Sequence, residues 1–117
     1  MQTLEKNIND LNSLIEQDKE LEAFEKHYSE DIVMQENENA PTSGKAENRR
    51  RLQAFVNNIV EFRSASAKEV AIGNDVTMTA WHFDYTHKEW GVRNYKQVSV
   101  QKWKDGKIIH EQFFYGS

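Results

Sequence analysis

Two rhythms of apolar side chains divide these 117 residues near Glu61. Before it, Leu4, Ile8, Leu11, Leu14 and Ile15 recur at three- and four-residue intervals, the spacing of one helical stripe. After the polar break Gln17-Asp18-Lys19, Leu21, Phe24 and Tyr28 resume it, so the pattern predicts helices over about 3–16 and 19–29. Ile32 to Glu36 is a short β-prone run, and Asn37 to Gly44 reads as a loop holding the single Pro. Gly44 as N-cap, with Glu47 three residues on, opens a third helix whose stripe is Leu52, Phe55, Val56 and Ile59.

Beyond Glu61 the period becomes two. Strands are predicted over Phe62 to Ile72, Val76 to His87 and Val92 to Lys104, separated by Gly73-Asn74 and the loop Lys88 to Gly91. The final ribbon, Lys96 to Tyr115, bends at Asp105-Gly106, a dipeptide suited to the left-handed φ values of a type I′ turn. A two-residue loop pairs Lys104 with Lys107, Val100 with Glu111 and Val98 with Phe113. Alternation then puts Val98, Val100, Glu111, Phe113 and Tyr115 on one face, and Trp103, Ile108, His110, Gln112 and Phe114 on the other. Pairing His87 with Val92 sets Trp81 opposite Val98, so Trp81, Phe83 and Tyr85 join the face of Phe113 and Tyr115. Helices followed by a long antiparallel meander define an α+β domain, with the helices covering one side of the sheet.

Composition narrows the function more than the fold. A chain of this length can bury a core as one domain, and three Trp, four Tyr and six Phe supply much of it. A net charge of −4 gives no broad attraction to nucleic acid or to an anionic membrane, and no run nears the ~20 apolar residues of a membrane helix. The absence of cysteine excludes disulfides and thiolate chemistry, and polar residues break up the N-terminus where a signal peptide would be apolar; a cytoplasmic protein is expected.

Three segments in this order resemble a known family. They are FEKHYSEDIVMQEN from Phe24 to Asn37, the Pro41 to Lys45 loop with its Gly-Lys step into a helix, and the hairpin from Trp103 to Ile108. Together they are similar to the nuclear transport factor 2-like superfamily, and more closely to its SnoaL-like branch. The resemblance implies a single domain over 1–117, a cone-shaped α+β barrel with three N-terminal helices packed on a strongly curved antiparallel sheet. It also implies a homodimer through the outer sheet face, to which Trp103, Ile108, His110 and Phe114 would belong. The superfamily holds isomerases, cyclases, dehydratases, hydrolases and binding modules, so the fold leaves the function open.

Site residues follow partly from that resemblance. Ketosteroid isomerases of this fold carry a carboxylate base eight residues after an aromatic that ends the second helix; counting from Tyr28 reaches Glu36. Desolvation in an apolar cavity would raise its pKa toward neutrality. The two neutral donors such enzymes need fall here on Asn12 and Val100, so steroid-type isomerisation is not expected. SnoaL-type cyclases use an acid from the inner sheet face, a role that Glu111 could fill. Facing one another across the pocket, Glu36 and Glu111 would split into an acid and a base; otherwise Glu36 is solvated at the mouth and Glu111 pairs with Lys96 or Lys102. The four histidines show no ligand spacing, Arg49-Arg50-Arg51 reads as a solvated helix face with local ion pairs, and Asp84 with Arg93 reads as a surface pair.

No metal or cofactor is expected. The leading reading is a protein that binds a small, largely apolar molecule among Tyr28, Met34, Trp81, Phe83, Val98, Val100, Phe113 and Tyr115, with Glu36 and Glu111 as polar anchors. An isomerase, cyclase or dehydratase using Glu36 and a dimerisation module are the alternatives.

Overall fold

Thr3 opens the first helix by accepting the Lys6 amide proton on its hydroxyl oxygen at 3.2 Å. The computed structural model describes residues 3–116. Helices α1 (Leu4–Glu16) and α2 (Glu20–His27) lead into β1 (Tyr28–Glu36), β2 (Thr42–Ser43) and α3 (Lys45–Asn57). The meander follows as β3 (Ile59–Ile72), β4 (Val76–His87), β5 (Gly91–Lys104) and β6 (Lys107–Tyr115). One six-stranded curved sheet runs in the order β2-β1-β6-β5-β4-β3. It is mixed, because β1 lies parallel to β6. Parallel neighbours need a crossover, and here α3 and the whole meander separate the two strands.

Helix α3 is pinned where β1 begins. The buried Lys45 donates from Nζ to the carbonyl oxygens of Tyr28 at 2.8 Å and Glu25 at 3.1 Å. Asn48 donates to the carbonyls of Gly44 and Thr42 at 2.9 and 3.0 Å, which ties the helix to β2. Gly44 is the N-cap, with φ 92°, but Glu47 pairs with Arg50 rather than closing a capping box. Ile59 opens β3 instead of ending the α3 stripe. Arg49 and Arg51 pair with Glu25 and Glu36, so the arginine run is a face of local ion pairs.

The β5–β6 turn forms where expected, with φ 52° at Asp105, φ 79° at Gly106 and Lys104 paired with Lys107. One residue later the register departs. Trp103 pairs with Ile108, but Lys102 pairs with His110, leaving Ile109 as a bulge that reverses the parity of everything above it. Gln101 therefore stands beside Glu111, Ser99 beside Phe113 and Gln97 beside Tyr115, while Val98 pairs with Phe114 on the outer face. Val98 and Val100 are thus not inner residues, and Trp103 and Ile108 are not outer ones. At 4% and 0% exposure they close the core with Ile8, Leu11, Phe24 and Ile32 of the helices and β1. At the other end of β5, His87 pairs with Gly91, φ 74°, rather than Val92, which puts Tyr95 opposite Phe83. Arg93 consequently faces inward, and Asp84 pairs with Arg63 at 2.8 Å on the outer face.

The inward position of Trp103 has a direct stability consequence. Trp103→Ala should cost about 3–5 kcal/mol, read from a urea melt, as expected for deleting a buried indole. A cost below about 0.5 kcal/mol, typical of surface substitutions, would put Trp103 back on the outer face.

Candidate functional site

The cavity inside the cone has a volume of about 770 Å³ and takes its lining from all three helices and from the concave sheet face. Its inner end is built around Glu111. That side chain is 2% exposed, and its neighbours on β6 and β1 are Phe113 and, across the parallel pairing, Met34. The Tyr28 hydroxyl donates to Glu111 Oε1. Gln101 Nε2 donates to Glu111 Oε2 at 2.8 Å.

The direction of these bonds is fixed from the core. The Trp103 indole can only donate, and it donates to Thr77 Oγ1 at 2.8 Å. The Thr77 hydroxyl then spends its own proton on Gln101 Oε1 at 2.7 Å, which leaves the Gln101 amide nitrogen to face Glu111. A carboxylate is therefore held by two neutral donors, with no cation in ion-pair contact among the described residues. Burial pushes the Glu111 pKa up to about 7, against the smaller downward pull of Tyr28 and Gln101. Burial, and then the Glu111 charge, raise the Tyr28 phenol well above its ordinary value, so Tyr28 stays a donor.

Rings form the middle of the cavity. Trp81 stacks on Phe83 at 5.1 Å between centroids, and Phe83 and Tyr115 each approach Tyr95 at 5.8 Å. The Tyr85 and Tyr95 hydroxyls share a hydrogen bond of 2.8 Å. Phe113 and Met34 complete the apolar wall. The expected residues Tyr28, Met34, Trp81, Phe83, Phe113 and Tyr115 thus line one space, and Val98 and Val100 lie behind it.

Glu36 belongs to the open end. Its exposed carboxylate accepts the Tyr115 hydroxyl proton at 3.0 Å and sits 3.6 Å from Arg51. It does not extend into an apolar space, nor does it face Glu111 across the cavity: β1 and β6 are neighbours, and Glu36 is level with Phe113. Glu111 in turn has no lysine partner among the described residues; Tyr28 and Gln101 hold it. Around the same rim are Trp90, 56% exposed, and Arg93, whose guanidinium lies 5.0 Å from the Tyr95 ring centroid.

Sequence reasoning missed Gln101, Thr77, Arg93 and Glu20. The first and third were hidden by strand parity; Trp103 and Tyr95 share their face, and taking those rings as inward would have found both. Glu20, the first residue of α2, resembles any acid at a helix N-terminus, yet it lines the cavity, and burial followed by the Asp18 charge raises its pKa to about 7. Among the described residues no three His, Asp or Glu side chains gather as metal ligands, and no helix is long and apolar enough to cross a membrane.

Comparison with known proteins places this geometry in a family. No curated protein matches the chain in sequence. A protein from Mesorhizobium loti, provisionally described as a SnoaL-like polyketide cyclase and as a carbohydrate phosphatase, superposes with a TM-score of 0.87. It is 26% identical, with 97% of this chain and 100% of that one covered. An LEH-like epoxide hydrolase from M. tuberculosis shares the fold at TM-score 0.75 and 10% identity, covering 95% of this chain and 80% of that one. A provisionally assigned isomerase from Bacillus subtilis does so at 0.77 and 16%, covering 95% and 84%. The SnoaL-like domain model matches residues 3–115, and with nearly the whole chain so matched this protein belongs to the SnoaL-like branch of the nuclear transport factor 2-like superfamily.

Proposed function

We propose that the chain binds a compact, largely apolar organic molecule in the cone and moves a proton to or from it through Glu111. One observation carries this reading: a fully buried carboxyl lines a cavity of ligand size and is held by two neutral donors, with a pKa raised to about 7. Near neutrality both protonation states are populated, so the same group can take a proton from a carbon or oxygen acid and return it elsewhere. Tyr28 and Gln101 hold the carboxyl through that cycle. Isomerisation, cyclisation and dehydration are the reactions whose bond changes need little more than such transfers. Glu36, solvated and paired at the rim, lacks the desolvation the role requires, which leaves Glu111 as the acid/base.

Proton transfer can be read without knowing the natural substrate. The α-protons of small apolar cyclic ketones should exchange into D₂O in the presence of the protein, faster as pH rises through about 7 because the ionised carboxylate is the base. Glu111→Gln should lower that rate by about 10²–10⁴-fold. Exchange at the uncatalysed rate, or catalysis untouched by Glu111→Gln, would remove the proton-transfer role.

The raised pKa also has a stability signature. A carboxyl titrating near 7 folded but near 4.5 unfolded leaves the folded state with more bound protons between those values, so stability falls as pH rises through the window. Above pH 7 the share of that loss due to Glu111 should approach roughly 3 kcal/mol, and Glu111→Gln should remove that share while leaving the one Glu20 contributes. Parallel pH–stability curves for the two proteins would contradict a desolvated Glu111.

A second reading concerns association. The outer face carries Ala80, Val98 and Phe114 in adjacent register, with Val98 and Phe114 40% and 43% exposed. We infer that two copies pair through this face, without Trp103 or Ile108. Phe114→Glu should then convert a dimer to a monomer by light scattering; a wild-type monomer would end this reading.

A further inference from the structure

Arg93 stands apart from the other arginines. Arg49, Arg50, Arg51 and Arg63 each hold a carboxylate, whereas Arg93 has no carboxylate in ion-pair contact among the described residues. Its Nε is packed against protein and has no hydrogen-bond acceptor among the described residues. A guanidinium offers, at its two terminal nitrogens, a planar fork that fits one carboxylate with two parallel bonds. Parity on β5 aims this fork at the cavity, on the same face as Tyr95, Gln97, Ser99 and Gln101. Of the acids that line the cavity, Glu36 is already engaged by Arg51 and Tyr115, and Glu89, in the turn before β5, makes no ion pair with Arg93.

We propose that Arg93 is a ligand-binding residue and that the molecule taken into the cone is an organic carboxylic acid. Its carboxylate docks on Arg93 at the rim, and its apolar body lies along Trp81, Phe83 and Phe113 toward Glu111. The inference rests on the cavity reading above and adds the substrate class to it. The reverse orientation is opposed by charge, because an ionised ligand carboxylate beside Glu111 would meet a second anion in a desolvated space.

A matched pair of probes tests this, 4-phenylbutanoate and its neutral primary amide, titrated against the full chain by calorimetry. The acid should bind about tenfold or more tightly than the amide, in line with a charge-assisted bidentate contact. Arg93→Gln should remove that preference and leave amide affinity unchanged. In the wild-type protein the Arg93 Nε–Hε NMR resonance should shift with the acid and not with the amide, which keeps the test independent of how the variant folds. Equal binding of acid and amide would overturn the carboxylate anchor while the cavity reading stands. A preference that survives Arg93→Gln, or an Arg93 resonance unmoved by the acid, would also overturn it. Binding of neither probe would remove the apolar ligand site, and the anchor with it.

Discussion

Ile109, the unpaired residue of β6, sets which side chains the sheet can hide. A two-residue turn without a bulge would carry strict alternation down the hairpin, and with Trp103 and Ile108 facing the helices, Val100 would then lie beside an outward Glu111. The extra residue breaks that link. Below it the hairpin end plugs the core with an indole and an isoleucine; above it the same face presents Glu111, Phe113 and Tyr115 to the cavity. A buried acid and a sealed core on one concave face are compatible only because the strand loses its parity between them.

The plug and the acid remain coupled through hydrogen bonds. Burying a carboxylate with no cation is unfavourable, and each neutral donor offsets only part of the cost. The donors must therefore be correctly aimed, and an amide can present either its oxygen or its nitrogen. The relay from Trp103 through Thr77 to Gln101 removes that choice, because an indole N–H cannot accept. Lys45 plays the matching part for Tyr28 by holding the backbone carbonyl of the same residue where α2 gives way to β1. The protonation behaviour of Glu111 is thus set by core packing on one side and by the α3 anchor on the other.

How much of this could be read from the residues depends on the length scale of the signal. The helices and strands were legible because apolar period and turn chemistry are local: Asp105-Gly106 makes the bend, and Leu4 to Ile15 makes the stripe. The inward side of β4 and β6 was legible from the clustering of Trp81, Phe83, Tyr85, Phe113 and Tyr115. The face of β5 was not. Strand pairing transmits parity across a turn, so one bulged residue and one shortened loop invert it, and simple alternation points to Val98 and Val100 where Ser99 and Gln101 face the cavity. Glu36 failed for another reason: counting along the chain gives its strand position but not its depth, and depth decides whether a carboxylate loses water.

Depth also organises the polar groups of the cavity. Toward the core end Glu111 is neutralised in part by desolvation; at the rim the Arg93 guanidinium lies against the Tyr95 ring. Between them the wall is aromatic and offers few hydrogen bonds beyond the Tyr85–Tyr95 pair. A gradient from a proton-exchanging acid to a fixed cation gives a ligand one favourable direction of entry, since apolar surface can slide along the rings while an ion cannot follow it inward without losing its hydration. Orientation of that kind requires no moving part. It follows from three inward positions on neighbouring strands, Glu111, Tyr95 and Arg93, and from the sheet register that keeps them on one face.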